Sequence, residues 1–300
     1  MAEPLAYLNG RFLPQPEAAL PLHDAGFVWG ATVTDLCRTF RRRLFRLPDH
    51  LRRFRQGCTR ARVPLLADED ELTRIAGRLI EHNAALLRPE QELALVLFAT
   101  PGPVGHYAGL TGSGPPTLGM HTFPLPFERY ARLFREGATL VVPGVRHVPA
   151  ACLDPRVKQR SRLSWWLAEQ QAHDADPAAS ALLLDDAGHV TEAAAANLLA
   201  VCGGRVMTPR RDGVLDGISL RVTEELCGSL GVPFAEADLT VADCQAADEG
   251  MLSSTGFCLA PVRRLGGAEL PCPGPVFGRL LRAWDELVGL DIRAQICDPG

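Results

Sequence analysis

An α+β protein of two lobes is the fold this sequence predicts, and three observations predict it. Strand pairs joined by turn signals (Asn9-Gly10, Asp186-Ala187-Gly188, Gly203-Gly204) recur in both halves, interspersed with helical patterns. A length of 300 residues, 47% hydrophobic and 22% charged, suits a globular protein of two packed domains or one large one. Pro124-Leu125-Pro126 then interrupts the pattern and reads as a hinge. The expected organisation is a small N-terminal α/β domain over 1–123, a linker over 124–136 and a larger domain over 137–300.

Each element has its own signal. Residues 6–8 and 11–13 flank Asn9-Gly10 as a hairpin, and 32–40 runs into 44–47 as a second strand pair. Pro48-Asp49-His50 starts a helix to about residue 62, proline being suited to a first turn. Asp68 and Glu71 have capping-box spacing ahead of Leu72, Ile75, Leu79 and Ile80. The apolar run 92–99 is short enough for a buried strand. Residues 101–116, dense in Gly and Pro, form a loop long enough to be a lid or a site wall before strand 117–123.

In the second half, strand 138–142 precedes a helix over 160–173. On that helix Leu163, Trp166, Leu167 and Gln170 fall at helical spacing and predict a core-facing stripe. Strands 181–185, 189–191, 197–202 and 205–208 follow. Gly217-Ile218-Ser219 opens a helix that Gly231-Val232-Pro233 ends, and a last helix covers 275–288.

Composition narrows function. A net charge of −4 argues against a general nucleic-acid binder, and Arg38-Thr39-Phe40-Arg41-Arg42-Arg43 reads as the solvated side of a hairpin. No stretch approaches the roughly 20 apolar residues of a membrane span. Met1-Ala2-Glu3-Pro4 lacks the basic and then apolar start of a signal peptide. Nine scattered cysteines, with no CxxC pair and no Cys/His cluster of zinc spacing, predict reduced thiols, no metal and a cytoplasmic location.

Lys158 is the only lysine, set against 30 arginines. Arginine serves as a surface cation, but a guanidinium keeps its proton, whereas a lysine amine can lose one and act as nucleophile or base. Composition alone leaves two readings: a stray surface lysine, or a reactive amine. A Lys–cofactor Schiff base with pyridoxal 5′-phosphate needs an amine, an acid beside the pyridine nitrogen and a phosphate cradle. Glu192, where a strand ends, is a candidate acid. Gly217-Ile218-Ser219, opening a helix, and the turn Ser253-Ser254-Thr255-Gly256 are candidate phosphate donors. Singly these signals are weak; their order along the chain is what counts.

That order resembles the core signature of the class IV (fold type IV) pyridoxal-phosphate enzymes: Lys158, then 184–192 ending in Glu192, Asn197-Leu198-Leu199, Leu215-Asp216-Gly217-Ile218-Ser219 and Ser254-Thr255. Asp24-Ala25-Gly26-Phe27-Val28-Trp29-Gly30 and His50-Leu51-Arg52-Arg53 are similar to the family's N-terminal motifs, so the resemblance spans nearly the whole chain. It implies a two-domain fold like that of D-amino-acid aminotransferases, with cofactor binding in the larger domain. The activity implied is transfer of an amino group between an amino acid or amine and a 2-oxo acid through a Lys158 Schiff base.

By the same resemblance, Lys158 and Glu192 are the catalytic residues, and Arg53, Asn197, Gly217, Ile218, Ser219, Ser254 and Thr255 complete the cofactor site. A homodimer is also implied. The alternatives are an aminodeoxychorismate lyase-like enzyme on the same site and a non-catalytic cofactor- or partner-binding relative.

The chain departs from the pattern in places. Ala193-Ala194-Ala195-Ala196 stands where relatives often carry polar residues. Leu163 replaces the tyrosine of branched-chain aminotransferases, which leans the expectation toward the D-amino-acid or lyase branches. The Arg-x-His pair of D-amino-acid aminotransferases has no clear match. Asp35, Arg38, His106 and Tyr107 are the substrate-binding candidates, with Arg38 proposed for the substrate carboxylate.

Overall fold

The computed structural model describes residues 3–109, 111–112 and 114–298. It divides into two compact units, one running to Leu125 and including Val157–Ser161, the other holding Pro126–Arg156 and the chain from Arg162 onward.

Unit 1 contains β1 (Leu5–Leu8), β2 (Arg11–Pro14), α1 (Ala25–Val28), β3 (Val33–Phe40), β4 (Arg43–Leu44), α2 (Leu47–Arg60), α3 (Glu69–Ala84), β5 (Leu93–Thr100) and β6 (Thr117–Pro124). Among the described residues its sheet runs β2-β1-β6-β5-β3-β4, every neighbouring pair antiparallel. Asn9 and Gly10 both take positive φ, so the first hairpin twists as its strands do. Period-2 alternation puts Tyr7, Leu95, Leu97 and Met120 in one core with Leu51, Phe54 and Cys58 of α2 and Leu72, Ile75 and Leu79 of α3. Asp68 caps α3 by accepting the Glu71 N–H at 2.8 Å.

Two buried carboxylates shape the loops of this unit. At the β3–β4 turn, Arg41 and Arg42 take left-handed φ of 48° and 62°. Glu92 offsets that strain by accepting the N–H of both and the Thr39 hydroxyl, the last at 2.6 Å. The 101–116 segment carries a 3₁₀ turn over Gly105–Ala108. Asp24, fully buried, accepts the hydroxyls of Thr100 and Thr117 at 3.0 and 2.9 Å, tying both roots of this loop to the head of α1.

Unit 2 contains α4 (Phe127–Glu136), β7 (Ala138–Val141), α5 (Leu163–Ala175), β8 (Ser180–Leu184), β9 (Val190–Ala193), β10 (Ala196–Cys202), β11 (Arg205–Pro209), α6 (Ile218–Ser229), β12 (Phe234–Ala237), α7 (Val241–Gln245), β13 (Glu249–Ser254), β14 (Cys258–Leu265), β15 (Ala268–Glu269), α8 (Pro275–Val288) and α9 (Ile292–Cys297). Its sheet runs β12-β11-β10-β13-β14-β7-β8-β9, with β15 on β14. A further β9–β10 pairing returns the ladder on itself. The β7–β8, β7–β14 and β11–β12 pairs are parallel.

Two expectations are corrected here. The segment 124–136 is mostly helix α4, with Phe127, Ala131 and Phe134 buried, because an apolar face at helical spacing makes it part of unit 2 rather than a linker. On α5 the buried stripe is Trp165, Ala168 and Ala172 against Ala181 and Leu183, while Leu163, Trp166 and Leu167 are 71%, 61% and 47% exposed. Both faces have helical spacing, but the alanine face lets the helix approach β8 closely and wins the packing.

Among the described residues no helix is long and apolar enough to cross a membrane. The N-terminus of α8 rests on Glu249, buried on β13, which accepts the N–H groups of Val276 and Phe277 at 2.8 and 2.9 Å. Glu249→Ala is expected to lower unfolding free energy by about 3 kcal/mol, measured by urea titration, because it orphans both donors in a dry site.

Candidate active site

In unit 1 the chemistry gathers around one carboxylate. Asp35 sits on β3 with no solvent exposure and faces the first turns of α2. Its Oδ2 accepts from Arg53 Nε and its Oδ1 from Arg53 Nη2, both at 2.8 Å, and His50 Nδ1 lies 2.8 Å from Oδ1. His50 and Arg53 stand three apart on α2, so one helix face delivers both. Burial by itself would raise the Asp35 carboxyl. The Arg53 guanidinium and the hydrogen bond from His50 outweigh it and hold the group well below the usual carboxylate range. Burial pushes the His50 imidazole down, against the pull of Asp35, and the charges of Arg53 and Lys158 push the same way.

Lys158 belongs to this unit through its backbone. Its carbonyl accepts the Thr34 N–H at 2.8 Å, the Arg160 N–H donates to the Thr32 carbonyl at 3.0 Å, and Val33 bridges Gln159. Ser161 Oγ donates to the Gly30 carbonyl at 2.7 Å, and Gly30 takes φ +65° with no room for a Cβ beside that hydroxyl. The lysine thus rides a short extended segment sewn to the start of β3, near the Asp35–Arg53–His50 cluster.

Unit 2 holds a second set. Glu192 on β9 pairs in register with Asn197 on β10, and Asn197 with Ser253 on β13, so the three side chains share one face of the sheet. Glu192 Oε2 accepts from the Leu215 N–H at 3.2 Å and the Asn197 amide at 3.4 Å. Asn197 Nδ2 also donates to the Leu215 carbonyl at 2.9 Å. A Cβ on Gly217 would lie 2.1 Å from Asn197 Oδ1, so only glycine fits there. Gly217 is the N-cap of α6, and no side chain caps that helix end. In the Ala193–Ala196 run, the middle residues make the turn from β9 to β10. The Ala195 carbonyl accepts the Ser254 hydroxyl at 2.8 Å, and the Ala194 carbonyl accepts from Arg162.

The sequence candidates therefore separate by unit: Arg53 and Lys158 in the first, Glu192, Asn197, Gly217, Ile218, Ser219, Ser254 and Thr255 in the second. Among the substrate candidates, Asp35 has both oxygens committed to Arg53 and His50, because an ionised carboxylate is buried only when paired. Its place is inside the scaffold rather than on a pocket wall. Arg38 is 1% exposed, lies 3.9 Å over the Phe40 ring and donates to the Thr39 carbonyl. His106 and Tyr107 are exposed on the 3₁₀ turn, their rings 4.3 Å apart. Sequence reasoning missed His147, whose Nε2 lies 3.6 Å from Glu192 Oε1. Ser253, read from the sequence as part of a hydroxyl-rich turn, lies instead near the end of β13 on the Glu192 face.

The residues present fit a phosphorylated, nitrogen-bearing cofactor on two observations. Ser253 Oγ is buried with no hydrogen-bond partner, on the same face as Glu192. The α6 N-terminus leaves its first N–H groups to an anion.

The family model described as Amino-transferase class IV matches residues 32–265, and the chain belongs to that family. It is accordingly an enzyme that transfers amino groups. It is 28% identical over 262 residues, 87% of this chain and 88% of the relative, to a Methanocaldococcus jannaschii protein provisionally named a branched-chain-amino-acid aminotransferase. With a D-alanine aminotransferase of Staphylococcus epidermidis it shares 25% identity over 274 residues, 88% of this chain and 90% of the relative. In fold it is similar to the branched-chain aminotransferase of the thermophilic archaeon Thermoproteus uzoniensis, solved with norvaline. That comparison gives a TM-score of 0.85 at 22% identity, covering 96% of this chain and 95% of the other. The fold is that of the type IV aminotransferases.

The buried cluster sets an acid limit on stability. His50 has a folded pKa below its unfolded value of about 6.5, so the unfolded chain takes up the proton first as pH falls. Asp35, also depressed, withdraws its contribution further down, below about pH 4. The melting temperature is expected to fall from about pH 7.5 to about pH 5, and His50→Gln to flatten that slope. Asp35→Ala, which strands a buried guanidinium, is expected to cost about 3–5 kcal/mol in a denaturant titration.

Proposed function

We propose that this chain is a pyridoxal 5′-phosphate-dependent aminotransferase that moves an amino group from an amino acid or amine to a 2-oxo acid, with Lys158 as the covalent anchor and Glu192 as the partner of the pyridine nitrogen. The observation that carries the reading is the setting of Lys158: the sole lysine, pinned by backbone pairing to β3 beside a buried charge cluster. When bound, pyridoxal phosphate supplies an electron sink for the charge left on the substrate carbon.

The chain's own groups do the rest. Lys158 Nζ would hold the cofactor and, once free, would carry the proton taken from the substrate α-carbon. Glu192, fixed by Leu215 and Asn197, holds the proton at the ring nitrogen. In unit 1, Arg53, its plane set by Asp35, is the residue that would hold the phosphate; in unit 2 the candidates are the N–H groups of Ile218 and Ser219 and the Thr255 hydroxyl. His106 and Tyr107, exposed on the 3₁₀ turn, are assigned to the substrate; Arg38, buried over Phe40, is not.

The reading extends to setting. All nine cysteines are free, which supports a reducing, cytoplasmic compartment. Leu22, Phe27 and Trp29 of unit 1 are 80%, 70% and 62% exposed, which supports a homodimer.

The test is the visible spectrum of the protein with pyridoxal phosphate, followed on addition of L- and D-amino acids and simple amines. A bound-cofactor band that bleaches with one donor and returns on adding a 2-oxo acid is expected; a band that no donor moves would contradict transamination. Glu192→Gln is expected to lower turnover about a hundredfold or more, and cofactor affinity about tenfold. Unchanged turnover would remove Glu192 from its role.

A further inference from the structure

His147 is held in place from three sides within unit 2. Its backbone N–H donates to the Leu184 carbonyl at the end of β8, at 2.9 Å. Its ring meets Trp165 of α5 edge to face, with centroids 5.6 Å apart and planes at 77°. Its Nδ1 lies 3.0 Å from the Val148 carbonyl. A carbonyl oxygen only accepts, so Nδ1 carries a proton. That leaves Nε2 directed at Glu192, 3.6 Å from Oε1, with the two side chains 12% and 13% exposed.

At 3.6 Å the contact is one of charge rather than a hydrogen bond. With Nδ1 already protonated, a neutral ring would set the Nε2 lone pair against a carboxylate oxygen. A ring protonated at both nitrogens sets a cation there instead. Glu192 is the charged group His147 meets; the Arg162 guanidinium lies 5.2 Å from the centroid of the Trp165 ring and donates to the Ala194 carbonyl. Glu192 is thus gripped on both oxygens: Oε2 by the Leu215 N–H and the Asn197 amide, Oε1 by the imidazole.

We propose that His147 is a positioning residue for Glu192, its imidazolium fixing the charge and the aim of the carboxylate so that it can pair with a protonated ring nitrogen. The proposal rests on the cofactor reading above and adds to it a residue that acts through Glu192. Asn197 and Leu215 hold only Oε2, so without the imidazole Oε1 has no directed partner and the carboxylate can turn about its last bond.

The experiment is a double-mutant cycle on the affinity of the apoprotein for pyridoxal phosphate at about pH 6.5, read by absorbance, for parent, His147→Ala, Glu192→Gln and the double variant. His147→Ala is expected to weaken binding about fivefold in the parent background and less than about twofold in the Glu192→Gln background. His147→Arg, which keeps the charge without adding a second amine, is expected to recover most of the loss. Melting curves of all variants separate loss of fold from loss of coupling, and the Arg variant keeps the test open if the Ala variant does not fold. An equal loss in both backgrounds, or none in either, would overturn the role of His147 while leaving that of Glu192 intact. A parent that binds no pyridoxal phosphate would overturn the cofactor reading and this proposal with it.

Discussion

A carboxylate with no access to water must be paired, and that constraint organises the part of unit 1 that carries Lys158. Asp35 comes from a strand whose other residues build a sheet, so its position is set by register. Once buried there it requires a guanidinium and a hydrogen-bond donor, and His50 and Arg53 supply them from a single helix face. The result fixes α2 against β3 at the place where the Lys158 segment adds to the same strand. Removing the carboxylate would cost more than one contact, because the arginine would remain in a site that cannot solvate it.

Unit 2 solves a related problem with weaker partners. Glu192 keeps some access to water, so neutral donors from Leu215 and Asn197 suffice to orient one oxygen while the other faces the His147 ring. The same asparagine presses on Gly217, which couples the carboxylate to the start of α6. In the proposed reading, a glutamate aimed by the loop that begins α6 would fix two ends of one planar cofactor. The four-alanine run, a departure from the family's polar pattern, is explained by its backbone. The carbonyls of Ala194 and Ala195 accept hydrogen bonds, and their side chains need only be small.

Much of this is legible in the sequence. The Asn9-Gly10 hairpin, the Asp68 cap, the helix opening at Gly217 and the strand ending near Glu192 all carry local signals that tertiary packing does not override. Lys158 stands out by composition alone. The α5 stripe misleads because two faces of that helix share the helical period, and periodicity cannot say that alanines will pack closer than leucines. Pro124-Leu125-Pro126 marks a break in the chain but hides the amphipathic helix that starts directly after it. His147 has no signal, since it lies in an irregular segment between prolines and acquires its setting only when β8, β9 and α5 converge on it. Asp35 is visible by type, but whether a strand acid meets substrate or a buried arginine depends on which face α2 covers.

The scarcity of lysine offers the most direct test. Protein incubated with pyridoxal phosphate can be reduced with borohydride, digested and sequenced by mass spectrometry. The only primary amines on the chain are Lys158 and the N-terminus. A phosphopyridoxyl group on Lys158 at near-stoichiometric yield, lost in Lys158→Ala, is the predicted result. Modification confined to the N-terminal amine, or none at all, would contradict a Lys158 anchor.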